Sequence, residues 1–335
     1  MNDQLFQQIK DLTTFHKKKC KLYSDYLETF FPKNLPATKS LPYLPVRAFK
    51  EFELLSIDQE EIYKVMNSSG TTGKPSKIFL DKETARAQSS KLIEIFQSTF
   101  GNSRFPMIVI DSEETVKNRF KFSARTAAIN GFSIFARKKL FALDENMELK
   151  IDELFEFINI HANDQIFIFG FTFMIWQNFL MTLKERQIKL PLSNAFILHG
   201  GGWKKLESLN ISNVDFKNLA EEVTESKNIR NYYGMVEQTG TIFMECSAGK
   251  LHSPIGGDVI IRDSQSLEPL GHSKQGLIQL FSNIQKSYPG HSILTEDIGY
   301  TEDGKHCPCG NHQTIINIIG RLQNAEIRGC SDAYS

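Results

Sequence analysis

Net charge is what this sequence most plainly lacks: 39 Lys and Arg balance 39 Asp and Glu. A neutral chain has no global reason to bind DNA, RNA or an anionic membrane, so no nucleic-acid partner is expected. Cysteine is sparse and odd in number. Five in 335 residues (Cys20, Cys246, Cys307, Cys309, Cys330) do not make a disulfide framework. The N-terminus has no apolar core of the signal-peptide kind. The stretch Ile166–Leu183 runs 18 residues without a charge, but Gly170, Thr172, Gln177, Asn178 and Thr182 interrupt it. It reads as a buried strand, a turn and a helix, not as a membrane span. There is no internal repeat and no low-complexity linker. A soluble cytoplasmic protein is expected, with one large or two medium domains.

Charged residues are 23% and hydrophobic ones 41% of the chain, which places it among ordinary globular proteins. Phe is over-used, at 26 residues. Two readings stand: core filling, or an apolar pocket for an acyl chain. Helical spacing marks Gln4–Phe15 and Lys17–Phe31, after which Pro32, Pro36, Pro42 and Pro45 forbid a long helix. Candidate strands at Tyr63–Asn67, Ser76–Leu80, Met107–Ile110, Gln165–Phe169 and Ala195–His199 alternate with candidate helices. Those helices are Lys82–Phe96, Ile151–His161, Phe173–Arg186 and Phe216–Ser226. Such alternation predicts an α/β fold with parallel βαβ units. From about residue 240 the texture changes to short strands (Thr241–Cys246, Asp258–Arg262, Gly276–Phe281) with little helix, a β-rich closing section.

The most informative stretch is Ser68–Lys77, SSGTTGKPSK, between two β-like runs. Flexible glycines among hydroxyl residues let backbone N–H groups wrap a phosphate, and Lys74 or Lys77 adds charge. The P-loop spacing fails, because Pro75 stands where that motif has its second glycine.

This loop resembles the phosphate loop of the adenylate-forming superfamily, with Ser76 as the one departure. Other motifs of that superfamily follow in order. Tyr233-Gly234-Met235-Val236-Glu237 resembles its YGxTE motif, which implies Tyr233 and Gly234 at adenine and Glu237 at Mg²⁺. His199-Gly200-Gly201-Gly202 stands where the superfamily has a glycine loop against adenine. Thr295-Glu296-Asp297 resembles its TGD motif, with Asp297 at the ribose and Glu296 in place of the usual Gly. Gly320-Arg321 resembles its hinge, which implies Arg321 at the nucleotide and among the catalytic residues. The resemblance thus implies ATP on Ser68, Ser69, Gly70, Thr71, Thr72, Gly73 and Lys74, with Gly200, Gly201, Gly202, Tyr233, Gly234 and Asp297. It further implies the fold of the large N-terminal domain of these enzymes.

Four longer strings, Leu41–Ser56, Tyr232–Cys246, Tyr288–Gly299 and Glu326–Asp332, are similar to the acyl-protein synthetase family of bacterial bioluminescence, LuxE, itself related to phenylacetate–CoA ligases. That similarity covers nearly the whole chain. It implies ATP-dependent activation of a fatty acid to acyl-AMP and transfer of the acyl group to a cysteine of the same chain. Delivery to an acyl reductase or other acyl-acceptor protein would follow. Cys330, beside Arg328 and Gly329, occupies the acceptor's place. An acyl adenylate is a mixed anhydride that a thiolate attacks readily, and a neighbouring cation favours the thiolate.

Cys246 and His252, with Cys307-Pro308-Cys309 about 55 residues later, form a Cys₃His set suited to tetrahedral, structural Zn²⁺; His306 and His312 are alternative imidazoles. Related phenylacetate–CoA ligases carry similar patterns. Larger adenylate-forming enzymes add a C-terminal domain that supplies a lysine. Here only 14 residues follow Arg321, so a full domain of that kind is not expected. Lys77, Lys74 or Arg321 then does more, or a partner completes the site. The organisation expected is residues 1–320 as adenylation domain and 321–335 as a short tail carrying Cys330. Two other readings stay open: a carboxylate–CoA ligase of the phenylacetate type, and a non-catalytic nucleotide-binding scaffold.

Overall fold

The computed structural model describes residues 1–31, 41–68, 74–117, 124–201, 206, 209 and 211–322. The chain divides into two compact units, one made of Met1–Thr99 with the residues from Gly234 on, the other centred on Phe100–Tyr233.

The second unit is the expected parallel α/β layer. Its strands lie in the order Ala136–Leu143, Phe105–Ser112, Phe167–Phe171, Phe196–Gly200, Asn228–Tyr233, every pair parallel. All eight side chains of Phe105–Ser112 are buried, as a strand covered on both faces requires. The strands Ala136–Leu143 and Asn228–Tyr233 were not among the expected ones. Ala136–Leu143 carries Arg137, Lys138 and Lys139, and this edge strand is exposed at just those positions. Phenylalanines here fill the core: Phe167 stacks on Phe196 at 4.8 Å, and Phe169, Phe179 and Phe216 are wholly buried. The charge-free stretch folds as expected, a strand followed by a helix over Thr172–Glu185 whose middle, Ile175–Leu180, is π-wound. Among the described residues no helix is long and apolar enough to cross a membrane.

The first unit holds the β-rich section. Its antiparallel order is Pro269–Leu270, Gly257–Arg262, Gly276–Ser282, Ser292–Glu302, Ile315–Arg321, Leu251–His252, Phe243–Glu245. Leu44–Pro45 adds a short parallel strand to Ser292–Glu302. Lys64–Asn67 and Lys77–Leu80 pair separately as an antiparallel hairpin.

Two N-terminal helices, Asp3–Lys19 and Lys21–Phe30, break at Cys20 and not at His16, where the sequence pattern broke. His16 is fully buried, so the first helix continues past it. Its ring stacks on His291 at 4.9 Å, Ser56 Oγ donates to Nδ1 at 2.7 Å, and Nε2 donates to the Gln285 carbonyl at 2.9 Å. Thr13 and Tyr23 hydroxyls approach His291 Nε2 at 2.9 and 3.5 Å. Burial lowers the His16 pKa to about 4, against the smaller opposing effect of the Gln285 bond, and lowers that of His291 in the same direction.

A histidine held neutral in the fold titrates normally once unfolded. The unfolded chain therefore binds more protons below pH 6.5, and stability falls from there down to about pH 4. His16 alone accounts for roughly 3 kcal/mol of that loss. The expected outcome is a midpoint of urea unfolding that drops steeply between pH 6.5 and 4, with a shallower drop in His16→Gln.

Candidate functional site

The hairpin that carries the candidate phosphate loop is closed at its base. Ser68 N–H donates to the Ser76 carbonyl at 3.0 Å, and Ser76 N–H donates to Ser68 Oγ at 2.8 Å. Ser76, the residue that departs from the motif, is fully buried and so belongs to the hairpin's packing. Ser69, Gly70, Thr71, Thr72, Gly73, Gly202 and Cys330 lie outside the described residues. Lys74 is exposed. Lys77 is half exposed, with Nζ 3.1 Å from Glu53 Oε1. A surface pair of this kind is worth under ~1 kcal/mol, so an anion can displace Glu53.

Glu237 sits in a single turn, Val236–Gln238, and is buried. Tyr288 donates its hydroxyl to the Glu237 carbonyl at 2.9 Å, and Gln238 Nε2 donates to the Gly290 carbonyl at 2.8 Å. The glycine after this turn is forced. Gly240 has φ +91°, and a Cβ there would stand 2.7 Å from the backbone of Gln88. The segment is thereby pressed onto helix Lys82–Phe100. A buried hard carboxylate fits a Mg²⁺ ligand.

Thr295-Glu296-Asp297 forms a bulge in strand Ser292–Glu302. Leu277 pairs with Ile298 and Gln279 with Leu294, so one residue on one strand faces three on the other. Thr295 Oγ1 donates to the Ile278 carbonyl at 2.9 Å, and Asp297 N–H donates to Thr295 Oγ1 at 3.1 Å. Asp297 is thereby set opposite Arg321, whose Nε donates to Oδ1 at 2.7 Å. The sequence motifs placed Asp297 and Arg321 in one site, and the fold brings them into contact.

In the parallel unit, strand Phe196–Gly200 runs hard against Asn228–Tyr233. A Cβ on Gly200 would lie 2.5 Å from the Tyr232 ring, and Gly201 takes φ +70°. Tyr233 ends its strand half-buried. His199 differs from expectation: it is a core residue, its Nδ1 3.0 Å from Thr172 Oγ1 and its ring 4.3 Å from Phe216. Burial holds its pKa down near 3, so the ring is neutral.

The Cys₃His set comes together. Cys246 lies in the turn after Phe243–Glu245, His252 on the returning strand, and Cys307 and Cys309 in the turn before Ile315–Arg321. The donor atoms of Cys246, His252, Cys307 and Cys309 all lie within 4.8 Å of one another. Sγ of Cys307 is 3.8 Å from Cys246 Sγ, 3.3 Å from Cys309 Sγ and 3.3 Å from His252 Nε2; Cys309 Sγ is 3.4 Å from Nε2. Bonds of ~2.3 Å to sulfur and ~2.0 Å to nitrogen in a tetrahedron give ligand–ligand edges of roughly 3.5–3.8 Å. The donor set therefore fits a Zn²⁺ ion. His252 Nδ1 donates to the Gln313 carbonyl at 3.0 Å, which leaves Nε2 as the ligand atom. Burial lowers the His252 pKa, keeping the imidazole neutral.

Tyr288 and Gln313 escaped the sequence reading as site residues: Tyr288 acts on Glu237 through its hydroxyl on a backbone carbonyl, and Gln313 acts only through its own carbonyl. Removing the Tyr288 hydroxyl leaves the buried Glu237 carbonyl unpaired. Tyr288→Phe is expected to lose about 1–3 kcal/mol of stability in chemical denaturation and to weaken any Mg²⁺–nucleotide binding that depends on Glu237.

Comparison with known proteins places these features in a family. The family described as "Acyl-protein synthetase, LuxE" matches residues 2–335. The long-chain-fatty-acid--luciferin-component ligase of Aliivibrio fischeri is 22% identical over 96% of this chain and 85% of its own. The enzyme of the same name from Vibrio harveyi is 22% identical over 88% and 77%. Among solved structures, 2-hydroxyisobutyryl-CoA ligase in complex with 2-HIB-AMP and CoA superposes with TM-score 0.76 at 14% identity, over 96% of this chain and 68% of that one. The structural likeness establishes the fold, that of the adenylate-forming ligases, and the match over residues 2–335 establishes the family: the chain belongs to the LuxE acyl-protein synthetases.

Proposed function

We propose that this protein activates a long-chain fatty acid with ATP and carries the acyl group on Cys330 for delivery to an acyl-reductase or acyl-acceptor partner. The observation that carries the reading is the Asp297–Arg321 pair on its strand bulge, in a chain of acyl-protein synthetase ancestry.

The nucleotide phosphates lie on Ser68–Lys74, with Lys77 leaving Glu53 to meet them. The glycine backbone of Gly200–Gly202 and the ring of Tyr233 take the adenine, and Asp297 takes the ribose hydroxyls. Glu237 would hold Mg²⁺, which when bound neutralises phosphate charge. A carboxylate oxygen of the fatty acid attacks the α-phosphorus, the bond to pyrophosphate breaks, and acyl-AMP remains. The Cys330 thiolate then attacks the acyl carbon, AMP leaves with the bonding pair, and a thioester forms. Residues 1–320 act as the adenylation domain and 321–335 as the tail that carries the cargo. Lys77, Lys74 or Arg321 supplies the cation that a C-terminal domain's lysine provides in larger relatives. The Cys₃His set would hold a structural Zn²⁺, with no open position for substrate.

Incubation with ATP and a mixture of fatty acids is expected to add one acyl mass per chain, released by neutral hydroxylamine. Cys330→Ala is expected to lose this label while keeping fatty-acid-dependent ATP–pyrophosphate exchange. Label that persists in the variant, or product formed only with added CoA, would overturn the acceptor role.

Metal analysis of the purified protein is expected to give about one zinc per chain. In Cys309→Ser the ratio is expected to fall well below one, with an unfolding midpoint lowered by several degrees. A metal-free wild type of unchanged stability would remove zinc from the account.

A further inference from the structure

Glu296 stands where a glycine is usual in this motif, and the fold gives it a definite place. The bulge directs two consecutive carboxylates, Glu296 and Asp297, toward the same guanidinium, which neighbours on a regular strand could not do. Arg321 Nε is 2.7 Å from Asp297 Oδ1, and its Nη2 is 3.9 Å from Glu296 Oε2. All three side chains are more than four-fifths buried. Glu296 Oε2 is shielded from solvent and has no hydrogen-bond partner among the described residues. The Glu296 carbonyl accepts from Leu322 N–H at 3.0 Å, which pins its backbone next to Arg321. A carboxylate oxygen kept from water and held about 1 Å farther from a cation than an ordinary hydrogen bond is a costly arrangement unless another state completes the bond.

We propose that Glu296 is a positioning residue that takes over Arg321 when Asp297 engages the ribose. The inference rests on the proposed role of Asp297. Ribose hydroxyls that donate to Asp297 draw on the same carboxylate charge that holds Arg321. As that hold weakens, the guanidinium closes the gap to Glu296. Arg321 then remains charge-balanced and in place at the end of its strand, and Asp297 can give its oxygens to the sugar. With glycine at 296 the arginine would have to be shared between Asp297 and the nucleotide. The two carboxylates thus form a hand-over whose setting depends on the presence of ribose hydroxyls.

The test measures dissociation constants of Mg·ATP and Mg·2′,3′-dideoxy-ATP for the full-length wild type, Glu296→Gln and Asp297→Asn. Wild type is expected to prefer ATP over the dideoxy nucleotide by about tenfold, the worth of one charge-assisted hydrogen bond. Glu296→Gln is expected to lose about fivefold in ATP affinity and less than twofold in dideoxy-ATP affinity. A purely structural role for Glu296 would weaken both nucleotides equally, and that result would overturn the proposal. A loss of ribose preference in Asp297→Asn with none in Glu296→Gln would overturn the role of Glu296 alone. No ribose preference in the wild type, with Asp297→Asn unchanged, would overturn the reading of Asp297 and this proposal together.

Discussion

The antiparallel unit depends on satisfying the backbone of a single buried strand, Ser292–Glu302. Four consecutive residues, Ser292–Thr295, are buried, so their amides and carbonyls must find partners inside the protein. Leu44–Pro45 and Gly276–Ser282 supply them, and Ile315–Arg321 pairs with the strand from Asp297 on. Where the ladder breaks, at Thr295–Asp297, a side-chain hydroxyl replaces the missing backbone donor to Ile278. The break is thus stabilised locally, and it is also the point at which Glu296 and Asp297 face Arg321. A threonine at 295 is needed for that substitution: an apolar β-branched residue would fill the space and leave the carbonyl unpaired.

The same strand organises groups remote in sequence. His291, just before it, receives the N-terminal helix through His16, and Tyr288, three residues earlier, reaches the turn of Glu237. Ser292 Oγ donates to the Pro42 carbonyl, and Arg262 Nη2 donates to the Leu41 carbonyl while its guanidinium lies over Tyr43. The segment Leu41–Ser56, which resembles its counterpart in the family, is therefore a scaffold contact for this strand.

Much of this architecture was legible from residues. Continuous apolar, β-rich runs located three of the five strands of the parallel unit, because strands covered on both faces have little choice of composition. Edge strands such as Ala136–Leu143 were not legible, since their outward lysines cancel the apolar signal. The zinc-type set was readable from cysteine and histidine spacing together with similar patterns in related ligases, though the sequence left His306 and His312 open where the structure brings in His252. His199 misled: beside three glycines it looked like part of a ligand loop, yet its imidazole packs inside on Phe216, while Gly200 makes a close strand contact with Tyr232. Motif resemblance assigned Asp297 to the ribose and Arg321 to the nucleotide, but nothing in the sequence paired the two side chains with each other. The bulge that makes the pair possible has no signature of its own, since Thr-Glu-Asp also suits an ordinary surface turn.

The two turns that hold Cys246 and Cys309 are 63 residues apart in the chain. During synthesis the first thiolate and the imidazole of His252 leave the ribosome well before the Cys307–Cys309 pair. A two-ligand site binds zinc weakly, so firm capture waits until the later turn has emerged and the intervening strands have paired. Metal acquisition would then report that Gly257–Arg262, Gly276–Ser282 and Ser292–Glu302 have already found their register. The cluster would act as a lock on a completed sheet, not as a seed from which the sheet grows.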